Sequence, residues 1–340
     1  MNRSRQLALV LIIATVIAAA GSHWVASWLK VKTIAAQPYT VGKPTQNPPA
    51  FLASSSVGGY GIAWGQIAAQ LDTQIKTWGI AGGSPVEFEQ FQKEVPEAKT
   101  TFIVISTYDL DEALTCDFRA AIVPLGQAIT SLRTTHADWQ YSRRVLSQYP
   151  MTWLRTLFPT LGRSRGLMGA TLIKVKDLVK HSAATSETMA GPTINFEKGT
   201  AAEEYTQQRV SDWPQSQIIG KLVAMRVEFQ GAHSFNGAKR LALEGMLQYA
   251  EQRGRAIVIV MPLSASYTKE FTSPALLQKF DDALAQVKQD APGAEWLRLD
   301  QVPALASNEN YCDLVHMNVA GQELATQTLQ AWLKQPSHQP

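Results

Sequence analysis

Three short stretches of this 340-residue chain carry residue types that can do chemistry together. Near the C-terminus, Tyr311-Cys312-Asp313-Leu314-Val315-His316-Met317-Asn318 places an acid three residues before a histidine. A carboxylate so placed fixes the imidazole tautomer and stabilises the imidazolium, which is what a general base beside a serine requires. Near the N-terminus, Ser54-Ser55-Ser56-Val57-Gly58-Gly59-Tyr60-Gly61 follows a short apolar run. A serine at a sharp strand-to-helix turn is open to substrate and lies against the N–H groups of the helix start, suiting both nucleophile and oxyanion donor. Taken alone, the same stretch is an ordinary Ser/Gly turn. Between them, Trp78-Gly79-Ile80-Ala81-Gly82-Gly83-Ser84-Pro85 offers glycine N–H groups that approach a developing oxyanion with no side chain in the way.

The elements that must position these residues read as α/β. Short apolar runs at 50–53, 76–80, 101–105, 256–261 and 296–299 predict five strands, and helices are predicted at about 63–75, 86–95, 237–253 and 319–333. Such alternation argues a parallel sheet covered by helices on both faces. Ligands bind at the carboxyl ends of strands in sheets of this kind, where the serine and glycine turns fall. A long, mostly helical insertion interrupts the pattern at about 110–235, with 181–216 polar and loop-rich.

The N-terminus carries a membrane signal. Residues 1–6 are basic, and 7–29 hold no Asp, Glu, Lys or Arg. As a helix that run spans about 35 Å, enough for a hydrocarbon core of roughly 30 Å. Trp24 and Trp28 would mark the far interface ahead of Lys30 and Lys32. A retained anchor is the preferred reading; a cleaved signal peptide, with the small residues of Ala18-Ala19-Ala20-Gly21 where a peptidase could cut, is the alternative. Either implies an exported domain at 50–340, on the periplasmic or extracellular side. Residues 30–49, with Pro38, Pro44 and Pro48, read as an extended tether.

A net charge of +3 gives no ground for nucleic-acid binding. Residues 141–180 nevertheless hold eight Lys or Arg against Asp177 alone, a distinct basic surface. With Tyr149, Trp153 and Phe158 it suits lipid headgroups or a membrane partner, or equally a solvated helical pair. No His/Cys grouping has zinc spacing, so neither metal nor cofactor is expected. Cys312 reads as a small buried filler. His233 reads as a residue of a loop whose Asn236 caps the next helix, with substrate contact the alternative. Asp109 to Glu112 read as the acidic start of a helix.

The order of serine turn, glycine turn, third strand and late Asp-x-x-His resembles the SGNH (GDSL-like) hydrolase superfamily. It is most similar to the membrane-anchored branch that includes alginate O-acetylation proteins and the D-alanyl transfer protein. Ser54-Ser55-Ser56 stands at the first block, Gly82 in the second and Asp313-x-x-His316 in the last, covering roughly 50–110 and 255–330. The resemblance implies a three-layer α/β/α, flavodoxin-like fold with an N-terminal transmembrane helix. It implies a serine esterase or O-acyltransferase of a cell-surface polysaccharide, supplied with acyl groups through a multi-span membrane O-acyltransferase. Ser56 would be the nucleophile, with Ser55 the alternative, His316 the base and Asp313 its orienting acid. Gly82 would supply an oxyanion N–H. The third block's asparagine is replaced by Tyr108, so Tyr108 would act as oxyanion donor from a different reach, or the domain would bind polysaccharide or scaffold a complex without catalysis. A protein unrelated to the family, with Asp313 and His316 a structural ion pair, is the remaining reading.

Overall fold

The computed structural model describes residues 3–28, 38–78, 82–114, 123–157, 207–226, 229 and 232–335. Six strands form one sheet: β1 Pro38–Val41, β2 Ala50–Ser54, β3 Ile75–Trp78, β4 Thr100–Ile105, β5 Arg255–Val260 and β6 Glu295–Arg298. Their order is β1-β3-β2-β4-β5-β6. Every pairing is parallel except β1 with β3. All five expected strands form. The antiparallel edge strand β1 corrects the reading of 30–49 as tether throughout: residues 38–41 pair from Pro38↔Trp78 to Val41↔Ile75. Proline is tolerated there because an edge strand does not need every N–H.

The central strands β2, β4 and β5 are near-continuous apolar runs because both their faces are buried. Side chains alternate between two cores. Leu52, Phe102, Ile257 and Ile259 face one, with Trp64, Ile67 and Leu329. Phe51, Ile103, Val258 and Val260 face the other, with Phe91, Leu243, Leu247 and Phe280. Helices α2 Ser56–Gly61 and α3 Trp64–Gln70 follow β2, α4 Pro85–Gln92 follows β3, and the single turn α5 Thr107–Leu110 follows β4. The insertion contributes α6 Leu125–Thr134, α7 Trp139–Leu146, α8 Gln148–Leu157 and α9 Gln215–Arg226. Helices α10 Ala238–Glu251, α11 Ala265–Phe271, α12 Pro274–Asp290 and α13 Val319–Leu333 complete the domain. A third cluster, in which Leu132, Tyr141, Val145 and Tyr149 meet Val86 and Ala242, docks the insertion against α4 and α10. Most of the expected loop-rich stretch 181–216 lies outside the described residues, as do the basic positions beyond 157 and Phe158.

The N-terminal run forms α1, Arg3–Trp28, a helix of 26 residues. Among the described residues no helix is long and apolar enough to cross a membrane. The expected helix starts at 63, 86, 237 and 319 fall within one residue of those observed. The cap of α10 is a correction. Gly237, not Asn236, is its N-cap and makes no side-chain bond, and Glu112 Oε1 accepts Lys239 N at 2.7 Å instead. An acid 127 residues away in sequence thus replaces the local cap, and Glu112 does not begin a helix of its own.

The strand order reverses between β2 and β4. A crevice opens at the carboxyl ends of the two strands flanking such a reversal. Ser56 follows one of them and Ser106 the other.

Candidate active site

Helix α2 begins at once after β2. Ser55 is its N-cap, extended at φ −68° and ψ −175°, and its hydroxyl accepts Val57 N at 3.2 Å. Ser54 and Ser55 are buried, whereas Ser56, the first helical residue, stays partly exposed. Gly58 makes the tight turn possible. A Cβ there would stand 2.4 Å from both Ser54 Oγ and Val104 Cγ1.

The partner loop is shaped by its own short-range bonds. An isolated antiparallel bridge, Tyr311↔Met317, closes it, and Cys312 N donates to His316 O at 3.0 Å. Within the loop, Asp313 Oδ1 accepts Val315 N and His316 N, each at 2.8 Å. That leaves Asp313 Oδ2 for His316 Nδ1, again at 2.8 Å. Asn318 caps α13 through Gly321 N at 3.1 Å and ties the loop back by donating to Glu309 O at 2.6 Å. Cys312 is buried as expected, its Sγ against the His316 carbonyl.

These two pieces, 260 residues apart, meet at 2.8 Å between His316 Nε2 and Ser56 Oγ. With Nδ1–H donating to Asp313, Nε2 accepts the Ser56 hydroxyl proton, the tautomer of a serine activated by a general base. Side-chain exposure falls from 20% at His316 to 7% at Asp313, so the base is reachable and its acid is shielded. The Tyr60 ring packs edge-on against His316, centroids 5.0 Å apart. Burial first, then the neighbouring Cys312 and Asp313, pushes the Tyr60 hydroxyl far above its usual range, so it stays neutral beside the imidazole.

Of the six expected site residues, Ser56, His316 and Asp313 come together. Ser55 adjoins them, but its hydroxyl faces Val57 N as a cap. Gly82 is exposed at φ +65°, a left-handed backbone that glycine adopts without strain, in the turn beyond β3. Tyr108 lies beyond β4, its ring edge-on to Tyr267 with centroids 6.3 Å apart. Neither belongs to the hydrogen-bond chain of Ser56, His316 and Asp313.

Two features escaped the sequence. Behind the serine turn, Asp109 is buried at 4% exposure and accepts Ser106 Oγ at 2.7 Å. Burial raises its carboxyl above the usual range against the opposing pull of Ser55, Ser106 and Lys239. The second feature is another acid–histidine pair, Asp111 Oδ2 with His233 Nδ1 at 2.5 Å, with Phe229 edge-on to the ring at 4.8 Å. A cleft of about 420 Å³ lined by Glu89, Lys93, Gly126 and Thr130 includes none of the triad.

No family model matches this chain, and no curated protein matches it.

Proposed function

We propose that this chain is a serine-dependent acyl-transferring enzyme, an esterase or O-acyltransferase that works through an acyl-Ser56 intermediate. One observation carries the reading: the continuous chain Ser56 Oγ, His316 Nε2, His316 Nδ1, Asp313 Oδ2, at 2.8 Å across both gaps.

His316 Nε2 removes the hydroxyl proton as Ser56 Oγ attacks an ester carbonyl carbon. The carbonyl π electrons move onto oxygen, and Asp313 stabilises the imidazolium. Collapse of the tetrahedral intermediate breaks the bond to the leaving alcohol, which takes its proton from His316. Water or an acceptor hydroxyl, deprotonated by the same histidine, then displaces Ser56 and restores it. In this reading the N–H groups at the start of α2 other than Val57 N, which the Ser55 hydroxyl caps, would serve the oxyanion. Gly82 N–H and the Tyr108 hydroxyl are the further donors this reading assigns.

The strand order of the five parallel strands, with the serine at the reversal, agrees with the flavodoxin-like SGNH fold expected from the motifs. By that resemblance the domain would stand on the periplasmic or extracellular side of the inner membrane, although α1 as described falls short of a membrane span. It would transfer acetyl groups to a cell-surface polysaccharide from a multi-span O-acyltransferase. The charge-free run 7–29 is the sequence feature that favours this placement. A second reading, a non-catalytic polysaccharide-binding or scaffolding domain, draws its support from Tyr108 in place of the third-block asparagine, since losing one oxyanion donor lowers rates by about 10² to 10³.

The test is turnover of a small activated acetyl ester by the full chain in detergent, set beside Ser56→Ala and His316→Ala. Loss of turnover in both variants is the expected result. Equal turnover in all three proteins contradicts the proposal.

A further inference from the structure

The cleft of about 420 Å³ between the end of α4 and α6 takes no part in the acyl-serine chemistry, and its walls are not those of an ordinary helix contact. From the α4 side come Glu89, Gln90, Lys93 and Glu94; from α6 come Gly126, Thr130, Ser131 and Thr134. Each set has the spacing of one helical face. A face turned toward a neighbouring helix is normally the apolar one. Here the apolar residues lie to one side: Val86 of α4 and Ala128 and Leu132 of α6 join the buried cluster that docks the insertion. Polar faces are left bordering an open space.

Two atoms on opposite walls are incomplete. Gln90 Nε2 and Ser131 Oγ are buried and have no hydrogen-bond partner among the described residues, a costly condition that a ligand hydroxyl would relieve. Beside them, the Thr130 and Thr134 hydroxyls donate to Gly126 O and Ser131 O, each at 3.0 Å, and each oxygen can still accept. Lys93 Nζ is neutralised by Glu89 Oε1 at 3.1 Å, whereas Glu94 has no ion-pair partner among the described residues.

This chemistry excludes two ligand classes. An apolar ligand would leave Gln90 and Ser131 unpaired. An anion would meet Glu94 with the cleft's cation already taken. A neutral polyhydroxylated ligand fits, because each hydroxyl both donates and accepts: it can donate to the carboxylates and threonine oxygens and accept from Gln90. The seat is also elongated, since eight residues from Gly126 to Thr134 run about 12 Å along α6.

We propose that the cleft between α4 and α6 is a saccharide subsite that holds a neutral sugar chain. As a seat for the acceptor it deepens the acyl-transfer reading and rests on it for its purpose, but sugar binding itself makes no use of Ser56.

The experiment measures binding to the full chain in a sugar-free detergent by saturation-transfer NMR. The probes are neutral gluco-, galacto- and manno-hexasaccharides, a hexauronate and a peptide of Gly, Ser and Thr. At least one neutral hexasaccharide is expected to bind, more tightly than the hexauronate or the peptide. A Cβ at Gly126 meets nothing within 4 Å, so Gly126→Phe fills open space and should abolish binding while the melting curve is kept. Gln90→Ala combined with Ser131→Ala should raise Kd about tenfold, the scale of one or two lost hydrogen bonds, and carries the test if Gly126→Phe does not fold. Ser56→Ala should bind as the wild type does. Absence of binding by all three neutral sugars, a folded Gly126→Phe that binds normally, or tighter binding of the hexauronate or peptide overturns the proposal. A chain that binds sugar in this cleft yet never acylates Ser56 overturns the acyl-transfer reading instead.

Discussion

Asp313–His316 and Asp111–His233 are built alike. In each, one carboxylate oxygen accepts two backbone N–H groups, Val315 and His316 in the first and Ala113 and Ser234 in the second. In each, the other oxygen meets Nδ1. They differ at the far ring nitrogen. His316 Nε2 reaches a serine at the head of a helix, whereas the described contact of the His233 ring is the edge of Phe229. The acid–histidine bond is therefore not itself the mark of a catalytic centre. Beside Asp111, Lys239 Nζ donates to Asp111 O and Arg144 donates to Glu112 O, each at 2.7 Å, so the second pair sits among bonds that fasten α10 and α7 to the segment that follows α5. One dyad faces a serine; the other holds a loop.

The largest expected contrast follows directly. Asp313→Asn should lower the acylation rate by about 10⁴-fold, the scale of a wrong tautomer at a serine-activating histidine. Asp111→Asn should leave that rate unchanged and lower the thermal midpoint. Parallel kinetics and melting curves decide it, and a rate loss for Asp111→Asn would make the two dyads functionally equivalent. Next in size, Asp111→Ala strands Ala113 N and Ser234 N and should destabilise the fold by about 1–3 kcal/mol, measurable by denaturant unfolding. Gly58→Ala sharpens the same contrast from the catalytic side. Its methyl collides with Ser54 and Val104. A loss of about 1–3 kcal/mol with slower acylation is expected, because relief of the clash moves the turn that carries Ser56.

A smaller effect separates the regions by pH. Burial raises the carboxyls of Asp109, behind the triad, and Glu112, beside the second dyad. The folded state then binds more protons than the unfolded one, so their contribution to stability is full below the unfolded carboxylate range and is lost as pH rises through their folded values. Denaturant unfolding across pH should show this decline in the wild type. Asp109→Asn should remove one part of it and Glu112→Gln another.

The Asp313–His316 dyad was legible because three residues of sequence are enough to define it. The second was not, since Asp111 and His233 stand 122 positions apart. The Ser56 to His316 contact spans 260 positions yet was anticipated, because the serine turn fell at the carboxyl end of a strand and the order of the motifs resembles that of SGNH hydrolases. What distinguished Ser56 from Ser55 was helix capping: the residue before the first helical one spends its hydroxyl on Val57 N. Strand β1 was hidden by Pro38 and the prolines that follow it at 44 and 48, which resemble a tether until an edge partner is available. The α10 cap misled for a related reason. Asn236 has the right chemistry locally, but a distant glutamate supplies the acceptor. Asp109 escaped because acids at a helix start are common, and only burial reveals this one as unusual.

The central claim is that Ser56, and not its neighbours, becomes acylated. The full chain, incubated briefly with an activated acetyl ester, acid-quenched and digested, should yield one acetylated peptide whose fragmentation places the group on Ser56 Oγ. Asp313→Asn should accumulate that adduct far more slowly. Acetylation on Ser54 or Ser55, or an adduct that forms equally in Ser56→Ala, would contradict the account.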